Sequence, residues 1–211
     1  MNQRVRAWLL AFGVLGLAAA AASLYVHFRM VTDPSYSSFC SISQTLNCGA
    51  AYRSRFGSVL GVPVALGGVI WFALALLVML GVDSESTRED AAAPGYLFVL
   101  AAPALGVVLY FAYVSAVILK VVCILCEITS LAVVGIFLIA GAATGAPLSG
   151  LPRRALRDVR RLAARPVALV VLILFVAGAA SAVAYFPKAV GGGQGAPPAG
   201  VSVSQRGDFE R

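Results

Sequence analysis

Charge is scarce in this chain. Asp, Glu, Lys and Arg together make up 12% of 211 residues, against 60% hydrophobic residues and a mean hydropathy of +0.91. That balance excludes an ordinary soluble globular domain. Nucleic-acid recognition modules are missing as well, so the net charge of +7 does not imply a nucleic-acid partner. Much of the positive charge is gathered in one stretch, Arg153, Arg154, Arg157, Arg160, Arg161 and Arg165, between two apolar runs. There it reads as a topology signal and a contact for anionic lipid headgroups. Cysteine is limited to four residues and histidine to His27 alone. What the chain has in quantity is long apolar sequence.

Five apolar segments, 8–28, 59–82, 96–119, 121–144 and 167–186, are each long enough for a helix to cross roughly 30 Å of hydrocarbon. Short cytoplasmic loops retain Lys and Arg during insertion. Arg4 and Arg6 before the first segment and the six-arginine loop before the fifth therefore place both regions in the cytoplasm. The loop 29–58, the tight turn at Lys120 and the C-terminus then lie outside the cell or inner membrane. Arg53 and Arg55 in the outer loop run against this assignment and are outweighed. The first segment also resembles a secretory signal, but its apolar run of about 20 residues exceeds the usual signal core, which favours a retained helix.

The expected organisation is an all-α membrane protein. A four-helix core covers 1–145 with an outer cysteine loop at 30–58. A basic cytoplasmic loop at 146–165, a fifth transmembrane helix at 166–187 and a disordered extracytoplasmic tail at 188–211 follow. Tyr36, Phe39, Tyr52 and Phe56 give the outer loop an aromatic content suited to the headgroup level. Gly57, Gly61 and Pro63 mark the bend into the second helix. The connection between the third and fourth helices is so short that Cys123 falls near the first turn of the fourth.

The cysteines carry the chemistry. Cys40 and Cys48 lie on the polar outer loop, and Cys123 and Cys126 form a C-x-x-C at the start of an apolar helix. Cys123, Cys126, Glu127 and Ser130 fall at i, i+3, i+4 and i+7, one polar stripe on an apolar helix. Polar side chains at membrane depth face a cavity or the bundle interior, so the stripe is the expected wall of a ligand pocket. A helix N-terminus also stabilises a thiolate. Two dithiol pairs at a membrane surface suit the passage of an electron pair between a soluble thiol protein and something dissolved in lipid.

Each residue also has a plainer reading. Four thiolates can cage a zinc ion, although the C-x7-C spacing of the loop pair exceeds the usual C-x2-4-C. Inert structural disulfides are the stronger rival in an oxidising compartment. Four cysteines allow three connectivities, of which Cys40 with Cys48 and Cys123 with Cys126 is the local one. Glu127 is open to ion pairing with Lys120, Arg53 or Arg55 and equally to proton handling. His27, near the outer end of the first helix, could titrate near neutral pH.

With these residues in place the chain resembles a bacterial member of the vitamin K epoxide reductase family. The resemblance rests on Cys40 and Cys48, on the run Cys48-Gly49-Ala50-Ala51-Tyr52-Arg53-Ser54-Arg55-Phe56-Gly57, and on Cys123-Ile124-Leu125-Cys126 in a later membrane helix. It spans about 8–145. It implies a quinone-linked thiol oxidoreductase with ubiquinone or menaquinone as acceptor, no metal, and the quinone held in a four-helix bundle under the outer loop. By position, Cys40 and Cys48 match the shuttle pair that meets the partner, and Cys123 and Cys126 the active-site pair, with Cys126 nearest the quinone. Ser54 matches the family serine expected to hydrogen-bond a quinone oxygen or a thiolate. Phe56 stands where the family commonly has Trp, and Ser130 where the animal enzymes carry a quinone-contacting Tyr. The Val64-Ala65 region lacks those enzymes' polar amide, which points away from vitamin K epoxide as substrate. Many bacterial relatives carry a fused thioredoxin-like domain after a fifth helix. The tail here is too short for one, so the implied partner is a separate thioredoxin-fold disulfide carrier. The alternatives are an epoxide or quinone reductase and a non-enzymatic scaffold with static disulfides.

Overall fold

The computed structural model describes residues 2–33, 36, 38–43, 45–59, 61–83, 93–144 and 166–185. The basic loop 146–165, the tail 188–211 and the acidic stretch after Asp83 lie outside the described residues.

The first helix, α1 (Gln3–Thr32), runs beyond the expected 8–28 at both ends. It begins one residue after Asn2, and at its far end the Asp33 N–H donates to the Arg29 carbonyl at 2.9 Å. The Arg29 and Asp33 side chains pair there at 3.6 Å, putting a cation on the negative end of the helix dipole. Leu9, Gly13, Gly16, Ala20, Ser23 and His27 are buried at alternating intervals of four and three. That spacing keeps one stripe of α1 turned inward along its whole length.

The segment expected to open the second membrane helix at residue 59 does something else first. Ser58–Val59 (β1) pairs antiparallel with Val62–Pro63 (β2), and the third helix of the chain, α3 (Val64–Asp83), starts only afterwards. Gly61 turns the hairpin at a φ of 79°, a left-handed conformation that costs glycine little. Pro63 has no N–H to give a preceding turn, so helix cannot extend back through it without losing a bond.

α4 (Ala93–Tyr113) contains Pro103, and one turn before it the Leu100 carbonyl accepts a hydrogen bond from the Trp71 indole at 3.3 Å. The expected straight helix 96–119 does not continue to its end in α-geometry. Val114–Leu119 winds as a π-helical turn and stops at Lys120, whose φ of 53° is left-handed. The Val121 N–H returns to the Ser115 carbonyl and the Ser115 hydroxyl donates to the Val121 carbonyl, closing this short connection. α5 (Ile124–Ala143) and α6 (Pro166–Tyr185) complete the helices.

Among the described residues three helices are long and apolar enough to cross a membrane, Gln3–Thr32, Pro94–Leu119 and Ile124–Ala143. Val64–Leu80 and Ile173–Tyr185 are shorter apolar stretches, so the expected five spans correspond to three of full length and two shorter ones. α1 packs on α5 and α3, α4 packs on α5, and α6 touches α3. Leu9, Phe72, Met79, Leu97 and Ile136 form the centre of the core. Small residues set the helix separations: a Cβ on Gly135 would stand 2.9 Å from the Phe12 ring. Large apolar side chains such as Leu131, Leu138 and Leu109 face outward, as lipid-facing positions do.

Candidate functional site

The outer loop is ordered by its own short polar side chains. A bridge between Ser41 and Asn47 folds it into a small hairpin, and Ile42 N–H donates to the Leu46 carbonyl at 2.9 Å. Cys40 and Cys48 are the next residues out on either side of that bridge. Their Cα atoms are 5.6 Å apart and they are joined as a disulfide. The Ser41 hydroxyl donates to Asn47 Oδ1 at 3.0 Å, and the same oxygen accepts the Ala50 N–H at 3.0 Å. Asn47 thereby caps α2 (Cys48–Arg53), a single turn and a half that starts at the cysteine.

A second bridge brings this loop to the membrane pair. Leu46 pairs in parallel with Val122: Val122 N–H donates to the Thr45 carbonyl at 2.7 Å, and Asn47 N–H to the Val122 carbonyl at 3.1 Å. Cys48 follows one side of the bridge by two residues and Cys123 the other by one. Cys40, Cys48 and Cys123 are buried in one cluster with Val26 and Leu125, with Cys126 packed against it. Cys123 is the N-cap of α5, in extended conformation and one residue ahead of the helix. It does not lie inside the first turn, because Val122 is held by the bridge.

Cys123 and Cys126 are unlinked, with their sulfurs 2.7 Å apart. A disulfide needs about 2.05 Å, so closing the pair takes a small movement. The Cys123 thiol is lowered to about 7, first by the hydrogen bond from Cys126. Burial opposes that shift, while the Tyr52 hydroxyl and the backbone N–H groups opening α5 support it.

Beside the pair lies a cavity of about 370 Å³ between α1, α3, α4 and α5. Phe56, Trp71 and Phe111 supply aromatic wall, and Ser54, Cys126 and Ser130 are among its few polar groups. This size and character fall in the range of small-molecule sites, about 300 to 1,000 Å³. No group of three His, Cys, Asp or Glu that could hold a metal occurs among the described residues.

The structure brings most of the candidate residues together. Ser54, Phe56, Cys123, Cys126 and Ser130 line the cavity, whereas Cys40, Cys48 and Glu127 are not part of the wall. The Ser54 hydroxyl is spent on the loop itself, donating to the Ala51 carbonyl at 2.7 Å and accepting the Phe56 N–H at 3.3 Å. Ser54→Ala is therefore expected to destabilise the protein by about 1 kcal/mol. Denaturation in detergent checks this, and an unchanged midpoint would refute it. Ser130 and Thr129 both donate to the Cys126 carbonyl, at 2.9 and 2.8 Å. Their hydroxyls are thus satisfied within the helix. Glu127 makes no ion pair with Lys120, Arg53 or Arg55 among the described residues, where the pair present is Arg29 with Asp33.

Two residues that the sequence did not single out as site residues stand at its centre. Tyr52 Oη is 3.4 Å from Cys123 Sγ and 2.9 Å from Ser23 Oγ, and its ring meets His27 edge-on at 5.8 Å. The available signal was the interval of four between Cys48 and Tyr52, which puts both on one face of α2.

Two cysteine pairs packed in one cluster, the second of them lining an apolar helical cavity, define a membrane protein of thiol–disulfide chemistry. A family model described as the vitamin K epoxide reductase family matches residues 7–141, well over half of the chain, and the chain belongs to that family. Its members are oxidoreductases, so this membrane protein has a redox function tied to disulfides.

Proposed function

We propose that the protein oxidises the dithiol of a separate thioredoxin-fold carrier and passes the electron pair to a membrane quinone, supporting disulfide formation outside the cytoplasm. The observation that carries this reading is the Leu46–Val122 bridge, which holds the loop disulfide and the α5 dithiol in one buried cluster against the cavity. A carrier thiolate attacks Cys40, and Cys48 leaves as thiolate; the carrier's second thiol then releases the carrier as a disulfide. Cys48 next attacks Cys123 of the oxidised Cys123–Cys126 pair and frees Cys126. Cys40 closes back onto Cys48 and releases Cys123. Each exchange is thiolate attack on a disulfide sulfur, so the pairs need only proximity and thiolate character.

Phe56, Trp71 and Phe111 would hold the quinone ring and Ser54 and Ser130 would border it, while Glu127, away from the wall, would act only indirectly. When bound, ubiquinone or menaquinone supplies a two-electron, two-proton acceptor that is soluble in lipid. The arginine pattern supports an extracytoplasmic location for both cysteine pairs and a cytoplasmic N-terminus. Anaerobic kinetics with a reduced thioredoxin-fold donor and short-chain quinones test the reading. One quinol should form per carrier disulfide; folded protein that forms no quinol from either quinone overturns it.

A further inference from the structure

Cys48 and Cys123 can exchange only if each leaves the other as a thiolate, and a thiolate released into a buried cluster needs a hydrogen-bond donor. Loop disulfide and membrane dithiol are surrounded mainly by apolar side chains, Val26, Leu125, Ala22 and Met30 among them. Among the described residues the hydroxyl that reaches Cys123 from another element is that of Tyr52, which accepts from the Cys123 thiol at 3.4 Å and carries a proton of its own. Tyr52 lies one turn after Cys48 on α2, so docking of the loop delivers sulfur and phenol to Cys123 together. Behind it, the Ser23 hydroxyl of α1 stands 2.9 Å from Tyr52 Oη and is itself buried.

We infer that Tyr52 is a catalytic residue of this chain, donating a hydrogen bond to Cys123 Sγ whenever that sulfur is a thiolate, with Ser23 positioning the phenol from behind. The inference rests on the exchange between the two pairs described above and holds for either direction of electron flow. In the step concerned, the Cys40 thiolate attacks Cys48 Sγ, the Cys48–Cys123 bond breaks, and Cys123 departs with the bonding pair. One disulfide and one thiolate are consumed and one of each is formed. Tyr52 keeps its proton throughout. While Cys123 is a thiol, its S–H donates to Tyr52 Oη, whose own O–H donates to Ser23. On ionisation Tyr52 turns its O–H to the sulfur and accepts from Ser23, a reversal that needs only hydroxyl rotation. Burial first, then the charges of Cys126 and Cys123, push the Tyr52 phenol far up, so it stays a donor at every working pH.

Among the described residues the titratable groups around Cys123 are Tyr52 on α2, Cys126 and Glu127 on α5, and His27 on α1 against the Tyr52 ring. Tyr52→Phe keeps the ring contact and removes only the hydroxyl, and Ser23→Ala removes the link behind it. The test is pulsed alkylation of the reduced full-length protein in detergent across pH, with Cys123 and Cys126 quantified separately by peptide mass spectrometry. Tyr52→Phe should move the Cys123 midpoint up by about one pH unit, as loss of a hydrogen bond to a charged sulfur implies. It should also slow release of Cys123 from the Cys48–Cys123 disulfide by about tenfold or more, and Ser23→Ala should shift the midpoint the same way by less. A Cys123 midpoint in Tyr52→Phe that coincides with wild type overturns the inference. So does an equal upward shift at reduced Cys40, which would report a general loosening. If Cys126→Ser protein forms no Cys48–Cys123 disulfide, the exchange reading fails, while the alkylation midpoint still decides the role of Tyr52.

Discussion

Cys126→Ser should abolish quinone reduction and leave a disulfide between Cys48 and Cys123. The substitution removes the partner that lies 2.7 Å from Cys123 and leaves the loop pair and the backbone bridge at Val122 in place. Cys123 then attacks Cys48 of the loop disulfide and releases Cys40 as a thiolate; with no second thiol on α5 the new bond can be reopened from within only by Cys40, and the buried cluster shields it from external thiols. The entrance for the carrier remains while the exit is gone. Replacing Cys48 instead should let Cys40 retain a mixed disulfide with the carrier. Mass spectrometry of non-reduced peptides measures both species. Free Cys48 and Cys123 in the Cys126→Ser protein under oxidising conditions, together with wild-type turnover, would refute the order of transfer. A zinc cage or a set of static disulfides would not yield either trapped species.

The interval between residues made the α5 stripe legible from the sequence, because Cys123, Cys126 and Ser130 must share a face of any helix that contains them. All three line the cavity. Glu127 shares the stripe by the same rule yet is absent from the wall, since spacing gives an angle around the helix and not the outline of a cavity built by four helices. Ser54 was legible as a site residue by its place after Cys48, but its hydroxyl closes the end of α2. Local backbone groups compete for a serine, and sequence position does not tell which partner wins.

Other features were hidden for identifiable reasons. Apolar composition locates a span but carries no information about hydrogen-bond register, so the π-helical turn Val114–Leu119 was invisible in a run that reads as plain helix. Gly61 and Pro63 signalled a bend, and the hairpin that displaces the helix start to Val64 depends on pairing across that bend. Tyr52 read as an interfacial aromatic because its partners, Ser23 and Cys123, are 29 and 71 residues away in the chain. Only the docked loop puts them together. The Leu46–Val122 bridge is of the same kind, two short segments with no strand pattern of their own.

Gly57→Ala should cost more activity than stability, because it strikes the element that places Cys48. A Cβ on Gly57 would stand 2.8 Å from the Tyr52 carbonyl carbon and 2.9 Å from Tyr52 Cα, and backbone cannot swing aside as a flexible side chain can. Gly57 is also tied at both ends, its N–H donating to the Ser54 carbonyl at 3.0 Å and its carbonyl accepting the Val64 N–H at 3.2 Å. Since the hairpin and α3 anchor Gly57 on one side, relief must come from a shift of α2. Overpacking of this kind costs about 1 to 3 kcal/mol. The same shift moves Tyr52 and Cys48 away from Cys123, and a displacement of about 1 Å at reacting groups can lower a rate about 100-fold. The expected result is a modestly lower unfolding midpoint with exchange between the cysteine pairs, read as Cys48–Cys123 disulfide formation in a Cys126→Ser background, slowed about 100-fold. Wild-type exchange rates in Gly57→Ala would mean that the docking of α2 on α5 tolerates displacement and that the close approach at Gly57 serves packing alone.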